Sequence, residues 1–162
     1  MSKVYAPGCW DLLHVGHTRF LEQAKEHGSR LIVGCPTDAV IEQDKGFKPV
    51  IPLAERREML ESIRWVDEIW IYDQLDFLGH IGSLDKGDFF IVGSQWGKPV
   101  KAKRHYDAEV ACREKGIQIR EVPYTNSVST TRIRETVIQR WISSAFRYFE
   151  GEVRSQLERI DG

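Results

Sequence analysis

The residues best suited to chemistry stand near the start of the chain, where two histidines flank a glycine in the stretch 8–17, GCWDLLHVGH. This stretch follows a short apolar run and precedes a helical pattern, so it lies where a first strand hands over to a first helix. His14 and His17 would share one face of the first helical turn, and Gly16 would let a ligand approach the backbone. Imidazoles and unpaired N–H groups at a helix start suit anionic oxygens. The stretch therefore predicts a phosphate site; the alternative is a capped helix start whose histidines pack or face water.

Further groups suited to phosphates or bases follow in later loops. Lys45 and Lys48 lie in a glycine- and proline-bearing loop, from which ammonium groups can swing onto a phosphate, although a solvated surface loop is the alternative. Ser129 or Thr130 suits a helix cap, and the hydroxyls and free N–H groups at such a helix start can hold phosphate oxygens. Trp96 follows a buried strand, where it would either stack on a nucleobase or cover the edge of the core.

The elements that must position these groups alternate along the chain. Strand-like runs, either apolar or alternating, occupy residues 4–6, 31–35, 69–72, 89–93 and 117–122. Helical patterns separate them in the order βαβααβαβαβα. This order predicts an α/β fold, a doubly wound, Rossmann-like parallel sheet of about five strands with a switch point beside the first strand. We expect a single domain over 1–162, with a core at 1–135 and a long C-terminal helical extension at 136–162.

The C-terminal extension carries an apolar stripe at four-residue steps. The stripe comprises Ile133, Val137, Trp141, Ala145, Phe149, Val153 and Leu157. A stripe this apolar must be buried, either on the body of the protein or against a second subunit. Its length favours a contact in a homodimer.

Charge and composition exclude several classes of protein. With 23 basic and 24 acidic residues the formal net charge is -1, which implies no overall attraction to nucleic acid or membrane and favours a small-molecule partner. Three cysteines, Cys9, Cys35 and Cys112, are too few and too scattered for a disulfide framework or a zinc site. The chain shows neither a signal-like start nor a run of about 18 apolar residues, so we expect a cytoplasmic protein.

The stretch 8–17 resembles the signature of the HxGH nucleotidylyltransferases, closest to the branch typified by glycerol-3-phosphate and ethanolamine-phosphate cytidylyltransferases. Four later stretches match family motifs in the expected order, and the resemblance spans nearly all of residues 3–135. These stretches are 55–57, 63–68, 93–96 and 124–131. The chain departs from the family at Ser94 and Gln95, which replace an acidic pair, and at Tyr124, which replaces an arginine.

The resemblance implies transfer of a nucleotidyl group, in which an alcohol phosphate attacks the α-phosphorus of a nucleoside triphosphate and releases pyrophosphate. His14, His17 and Lys45 would act at the reacting phosphates. The set implied to bind nucleotide or phosphate is Gly8, Cys9, Trp10, Asp11, Gly16, Arg56, Trp96, Thr125, Ser129 and Thr130. The set implied to bind substrate or organise the site is Asp38, Lys48, Arg64 and Asp67, the last two also at a subunit interface. Asp11 and Asp38 would position backbone turns rather than touch reacting atoms.

The expected nucleotide donor is CTP, with Mg²⁺ held mainly by triphosphate oxygens and water. The acceptor would be a small phosphorylated alcohol or sugar. One alternative is an ATP-dependent adenylyltransferase of the heptose-phosphate or pantetheine-phosphate type, favoured by the departures at Ser94, Gln95 and Tyr124. A more distant alternative is a non-catalytic nucleotide-binding protein, against which the retained histidines and Lys45 argue.

Overall fold

The computed structural model describes residues 2–94, 102–123, 125 and 128–160. Within them the chain forms five strands and six helices in the predicted order. The strands are β1 (Lys3–Pro7), β2 (Arg30–Pro36), β3 (Glu68–Tyr72), β4 (Phe89–Gly93) and β5 (Gln118–Val122). The helices are α1 (Val15–Lys25), α2 (Asp38–Lys45), α3 (Leu53–Glu61), α4 (Leu78–Gly82), α5 (Ala102–Lys115) and α6 (Thr130–Ile160). The prediction of an α/β fold is confirmed.

The strands form one parallel sheet in the order β3-β2-β1-β4-β5. The chain winds outward from β1 to β3, returns across the sheet, and then winds outward again through β4 and β5. The strand order therefore reverses beside β1, as predicted. In open α/β sheets the crevice at the carboxyl ends of the strands next to such a reversal is where ligands bind.

Two apolar layers enclose the sheet. On one face, Leu21 of α1 and Leu60 of α3 pack against β1 and β2. On the other face, Ile81 of α4 and Cys112 of α5 pack against an aromatic group that includes Tyr5. The side chains of β1 alternate between these layers, as a central parallel strand requires. Packing on both faces makes β1 a rigid base for the turn that follows it.

Helix α6 is the longest helix in the described part of the chain, with 31 residues and a length of about 46 Å. The predicted boundary between core and extension, at residue 135, falls inside this helix. Trp141 is 71% exposed, and Val137, Phe146 and Phe149 are similarly open, so these four members of the apolar stripe do not pack on the body. Among the described residues, no helix has both the length and the apolar character needed to cross a membrane.

Candidate functional site

The turn after β1 has an unusual backbone that buried contacts hold in place. Trp10 and Leu12 have φ angles of 59° and 48°, and no other non-glycine residue in the described ranges has a positive φ. The Trp10 ring is buried, and its Nε1 donates to the Gly34 carbonyl at 2.8 Å. A Cβ on Gly8 would lie 2.6 Å from that ring, so only glycine fits there. This strained backbone fixes the start of α1.

The two histidines build the helix start itself. His14 is the N-cap of α1, and its Nδ1 accepts a hydrogen bond from the Gly16 amide at 3.1 Å. The Nδ1 of His17 accepts from the His14 amide at 3.4 Å. The two rings stack with their centroids 3.9 Å apart. Because each Nδ1 is an acceptor, each neutral ring carries its proton on Nε2.

Burial keeps this pair uncharged. It lowers the pKa of His17 to about 3, helped by the nearby charges of His14 and Lys45. Burial also lowers the pKa of His14. The Nε2 of His14 is buried without a hydrogen-bond partner among the described residues. The site therefore presents neutral imidazole N–H donors, one of them unsatisfied, beside a lysine close enough to influence His17.

Gly16 has a different role from the one expected. A Cβ at this position would lie 2.9 Å from the His14 ring and 3.1 Å from Cγ1 of Val128. The space above the glycine is thus filled by the capping imidazole and by the segment before α6. The expectation that Gly16 opens the backbone to a ligand is wrong, because the missing side chain makes room for His14 instead.

Asp11 is the point at which three segments meet. Its side chain is buried, and the carboxylate accepts from the amides of Val50 at 3.1 Å and Ile51 at 2.9 Å. The same carboxylate pairs with Arg134, and the Asp11 carbonyl accepts from the Thr130 hydroxyl at 2.9 Å. The turn after β1, the loop after α2 and the start of α6 are therefore tied to one residue. Asp11 positions backbone segments, as a buried carboxylate with three donors is suited to do.

Arg56 lies beneath the site rather than in it. Its side chain is 0% exposed. Its five N–H groups donate over 2.6–3.3 Å to the carbonyls of Ile51, Cys9 and Pro36, to the sulfur of Cys35 and to Asp38. No donor is left for a phosphate, so the prediction that Arg56 contacts bound phosphates is wrong. Asp38 also accepts from the Leu53 amide at 3.3 Å, and the pair joins β2, α2 and α3.

The hydroxyl residues at the start of α6 have different hydrogen-bond partners. Ser129 caps the helix, and its Oγ accepts from the Arg132 amide at 3.1 Å. Thr130 gives its hydroxyl hydrogen to Asp11, which leaves that hydrogen unavailable to a phosphate. Because the Arg132 amide donates to Ser129, the first-turn N–H groups of α6 that stay suited to anionic oxygens are those of Thr130 and Thr131. Thr125 is half-buried, and its carbonyl accepts from the Val128 amide at 3.4 Å.

Two predicted residues lie at the opposite edge of the sheet. Asp67 accepts from the Leu31 amide at 2.6 Å and pairs with Lys25, next to the amino ends of the strands. The Arg64 side chain is 77% exposed, and its guanidinium lies 4.3 Å above the Trp65 ring. Arg64 and Asp67 therefore do not lie beside the histidine pair, and their roles in organising the site and in a subunit interface stay predictions.

Three residues remain: Lys48 and Trp96, which were predicted, and Arg134, which was not. Lys48 is exposed on the loop after α2, and Trp96 lies outside the described residues. Arg134 was not predicted from the sequence; its guanidinium carbon lies 4.5 Å from the centre of the Phe47 ring. A signal was available, because Arg134 follows Thr130 by four residues and so lies on the same face of a helix.

The chain is an α/β protein whose parallel sheet places two imidazole donors at a helix start beside the switch point, where sheets of this class bind their ligands. The chain belongs to the cytidylyltransferase-like family, whose model matches residues 5–136. This assignment confirms the resemblance that the motifs indicated.

The curated relatives that the chain matches carry three different names. Ethanolamine-phosphate cytidylyltransferase of Mus musculus is 37% identical over 131 residues, which are 80% of this chain and 31% of the relative. Bifunctional protein HldE of Citrifermentans bemidjiense is 30% identical, covering 83% and 27% of the two chains. FAD synthase of Thermococcus sibiricus is 29% identical, covering 85% and 93%. The chain thus spans about a third of the first relative's length, and most of the last.

A solved structure agrees with the fold. The lipopolysaccharide core biosynthesis protein from Thermoplasma volcanium superimposes with a TM-score of 0.60 at 22% identity, over 77% of this chain and 97% of that one. At this level of identity the likeness concerns the fold alone.

Proposed function

We propose that this chain is a nucleotidyltransferase that transfers CMP from CTP to a small phosphorylated alcohol or sugar. The observation that carries the proposal is the neutral pair of His14 and His17, fixed as N–H donors at the start of α1. A protein that only binds nucleotides does not need such donors. Membership of the cytidylyltransferase-like family supports the same reaction type.

The reaction needs alignment more than acid–base chemistry. An oxygen of the acceptor phosphate forms a bond to the α-phosphorus, and the bond from that phosphorus to the bridging oxygen breaks, so pyrophosphate leaves in line. The acceptor oxygen is already ionised, so the protein's task is to orient it and to stabilise developing charge. The Nε2–H groups of His14 and His17 would donate to non-bridging oxygens. Lys45 would hold the acceptor phosphate against the α-phosphate.

Magnesium would accompany the triphosphate rather than occupy a protein cage. No group of three or more His, Cys, Asp or Glu side chains in the described part of the chain is arranged to hold a metal ion. The carboxylates of Asp11 and Asp38 already pair with Arg134 and Arg56. The ion would therefore take its ligands from phosphate oxygens and water, a mode that Mg²⁺ commonly adopts.

The proposed nucleotide donor is CTP rather than ATP. The family and the name of the mouse relative favour a cytidylyl donor. The names HldE and FAD synthase among the relatives keep an ATP-dependent adenylyltransferase as the second candidate. The sequence supports that candidate at Ser94, where the acidic pair of the cytidylyltransferase motif is lost.

Thermal unfolding with each nucleotide and magnesium distinguishes these candidates. We expect CTP to raise Tm more than ATP at equal concentration, because the ligand that binds more tightly stabilises the folded chain more. A panel of phosphorylated alcohols and sugars is then screened for pyrophosphate release. A larger shift with ATP favours the adenylyltransferase. Nucleotide binding without pyrophosphate release from any acceptor contradicts the proposed reaction.

We also propose that two copies of the chain pair through the apolar face of α6. Four aromatic side chains on this helix, Trp141, Phe146, Tyr148 and Phe149, are 65–71% exposed. Covering them and their aliphatic neighbours would remove on the order of 500–800 Å² per chain, close to the roughly 800 Å² of a standard interface. Residues 132–147 carry four arginines and one glutamate, and residues 148–160 carry three glutamates and two arginines. Antiparallel pairing would set the basic half of one helix opposite the acidic half of the other.

The pairing is tested by molar mass in solution. We expect a dimer for the unchanged chain and a monomer for Trp141→Glu, which adds a charge to the apolar face. Ser143→Glu adds the same charge to the opposite face and should leave the dimer intact. A monomer at high micromolar concentration contradicts the proposal, and a monomer that binds anionic vesicles makes a membrane the occupant of this face.

A cytoplasmic location stays a prediction from the sequence.

A further inference from the structure

Arg134 contacts the turn that carries the histidines, but it has no role in the proposed reaction so far. It lies in the second turn of α6, outside the sheet, yet its guanidinium reaches the turn that carries the histidines. One Nη donates to the buried carboxylate of Asp11, and the guanidinium carbon lies over the Phe47 ring, 4.5 Å from its centre. The side chain is only 23% exposed, and its Nε is buried without a partner among the described residues.

These contacts pin the loop that follows Lys45. Gly46 ends α2 with φ at 77°, which turns the chain sharply. The loop then touches Arg134 through Phe47 and reaches the Asp11 carboxylate through the amides of Val50 at 3.1 Å and Ile51 at 2.9 Å. Arg134 supports both attachments, since it contacts Phe47 directly and neutralises the carboxylate that holds the two amides. The loop is therefore attached at Phe47 and at the amides of Val50 and Ile51, and it begins directly after Lys45.

We propose that Arg134 is a positioning residue that holds the 46–51 loop, and through it Lys45, against the histidine pair. Arginine suits this task because its planar group pairs with a carboxylate along one edge while its face stacks on an aromatic ring. Lysine retains the charge but has no planar face. The role of Lys45 in this inference rests on the proposed function, whereas the hold on the loop does not.

The hold on the loop is tested by amide hydrogen exchange, which needs no turnover. In Arg134→Met we expect the Val50 and Ile51 amides to exchange on the order of tenfold faster than in the unchanged chain, which corresponds to about 1.4 kcal/mol. The amides of β2 should keep their rates. Arg132→Met makes the same change two residues earlier on an exposed side chain, and should alter neither set.

Unchanged exchange at Val50 and Ile51 in Arg134→Met overturns the proposal. If the β2 amides also exchange faster, the variant has lost global stability, and Phe47→Ala decides instead. That variant removes the loop's side of the contact and leaves the Asp11–Arg134 pair in place. Faster exchange at Val50 and Ile51 in Phe47→Ala supports the proposal, and unchanged exchange overturns it.

Kinetics then separate positioning from general stability. We expect Arg134→Met to lower kcat/KM about tenfold when Lys45 is present, and Arg134→Lys to restore only part of the loss. In a Lys45→Met background, Arg134→Met should have little further effect, because both changes act through the same ammonium group. Equal losses in both backgrounds contradict the positioning role. If the unchanged chain turns over no acceptor, the proposed function fails while the exchange experiment still decides the role of Arg134.

Discussion

Charged side chains are arranged differently at the two ends of the parallel strands, which we call the carboxyl edge and the amino edge of the sheet. At the carboxyl edge, Asp11 and Arg56 are 2% and 0% exposed, and each holds backbone groups from several loops. At the amino edge, Lys3 pairs with Asp85 and Lys25 with Asp67, and the two carboxylate side chains are 78% and 41% exposed. The ion pairs of the first edge are therefore buried among loops, whereas those of the second lie partly in water. The buried charge at the second edge is Asp88, whose carboxylate accepts from the backbone amides of Lys3 and Asp85.

The difference indicates what each edge requires. A buried charge is expensive unless all its hydrogen bonds are made, so it stabilises only one arrangement of the surrounding loops. A solvent-exposed pair is screened and tolerates several arrangements, so it contributes little to stability. A site that must hold donors within a fraction of an ångström gains from the first kind of interaction. Four substitutions test this contrast.

Arg56→Met should have the largest effect. It removes five donors and leaves the carbonyls of Cys9 and Pro36 and the carboxylate of Asp38 without their buried partner. We expect a loss of about 3–5 kcal/mol in the free energy of unfolding, measured by urea denaturation. The matched control is Arg57→Met on the same helix, whose exposed pair with Glu61 is worth at most about 0.5 kcal/mol. Similar losses in the two variants would contradict the contrast.

His17→Ala should have the next largest effect, on turnover rather than on folding. Loss of a donor to the reacting phosphates lowers kcat by at least ~10²-fold, which corresponds to about 2.7 kcal/mol. His27→Ala is the control, because His27 follows the other end of α1 and packs against Phe89 at the amino edge. Pyrophosphate release from the preferred nucleotide and acceptor measures both. Unchanged turnover in His17→Ala would refute the assignment of the histidine pair.

Short-range patterns allowed most of the fold to be predicted. Apolar or alternating runs of three to six residues and the turns between them indicated the strands, their order and the switch point beside β1. The stretch 8–17 indicated the site, because glycine, histidine and helix start are adjacent in the chain. These features depend on neighbouring residues, which a sequence displays directly.

The roles of individual side chains depended on contacts between distant residues. An arginine on a helix usually faces solvent, and the burial of Arg56 depends on carbonyls of Cys9 and Pro36, 47 and 20 residues away. Arg134 lies 123 residues from Asp11. A local pattern does not show such pairings, so the family resemblance placed Arg56 at the phosphates. The spacing of Arg134 from Thr130 indicates a shared helix face, but it does not identify Asp11 as the partner.

Acidification should have the third-largest effect, a loss in the free energy of unfolding caused by His17. The pKa of His17 in the folded chain is lowered to about 3, below the ordinary value of about 6.5. The unfolded chain therefore takes up the proton first, and stability is lost as the pH falls below about 6.5. Between pH 7 and pH 5 this one group accounts for about 2 kcal/mol. His17→Asn should lose correspondingly less over that interval in urea denaturation, and an identical pH dependence would argue against a buried neutral imidazole.

Asp67→Asn should have the smallest effect, because it tests the amino edge. Burial works against the charged carboxylate, but the hydrogen bonds from Lys25 and Leu31 outweigh it and hold the pKa of Asp67 below its ordinary value. This stabilisation is present at neutral pH and is lost as the pH falls through the lowered value. Since the pair is partly exposed, we expect a loss under about 1 kcal/mol at pH 7, and convergence of the two chains in acid. Turnover should stay unchanged, because Asp67 lies at the amino ends of the strands and the histidine pair lies at their carboxyl ends. A fall in turnover comparable to that of His17→Ala would mean that the two edges are coupled, and the contrast between them would then fail.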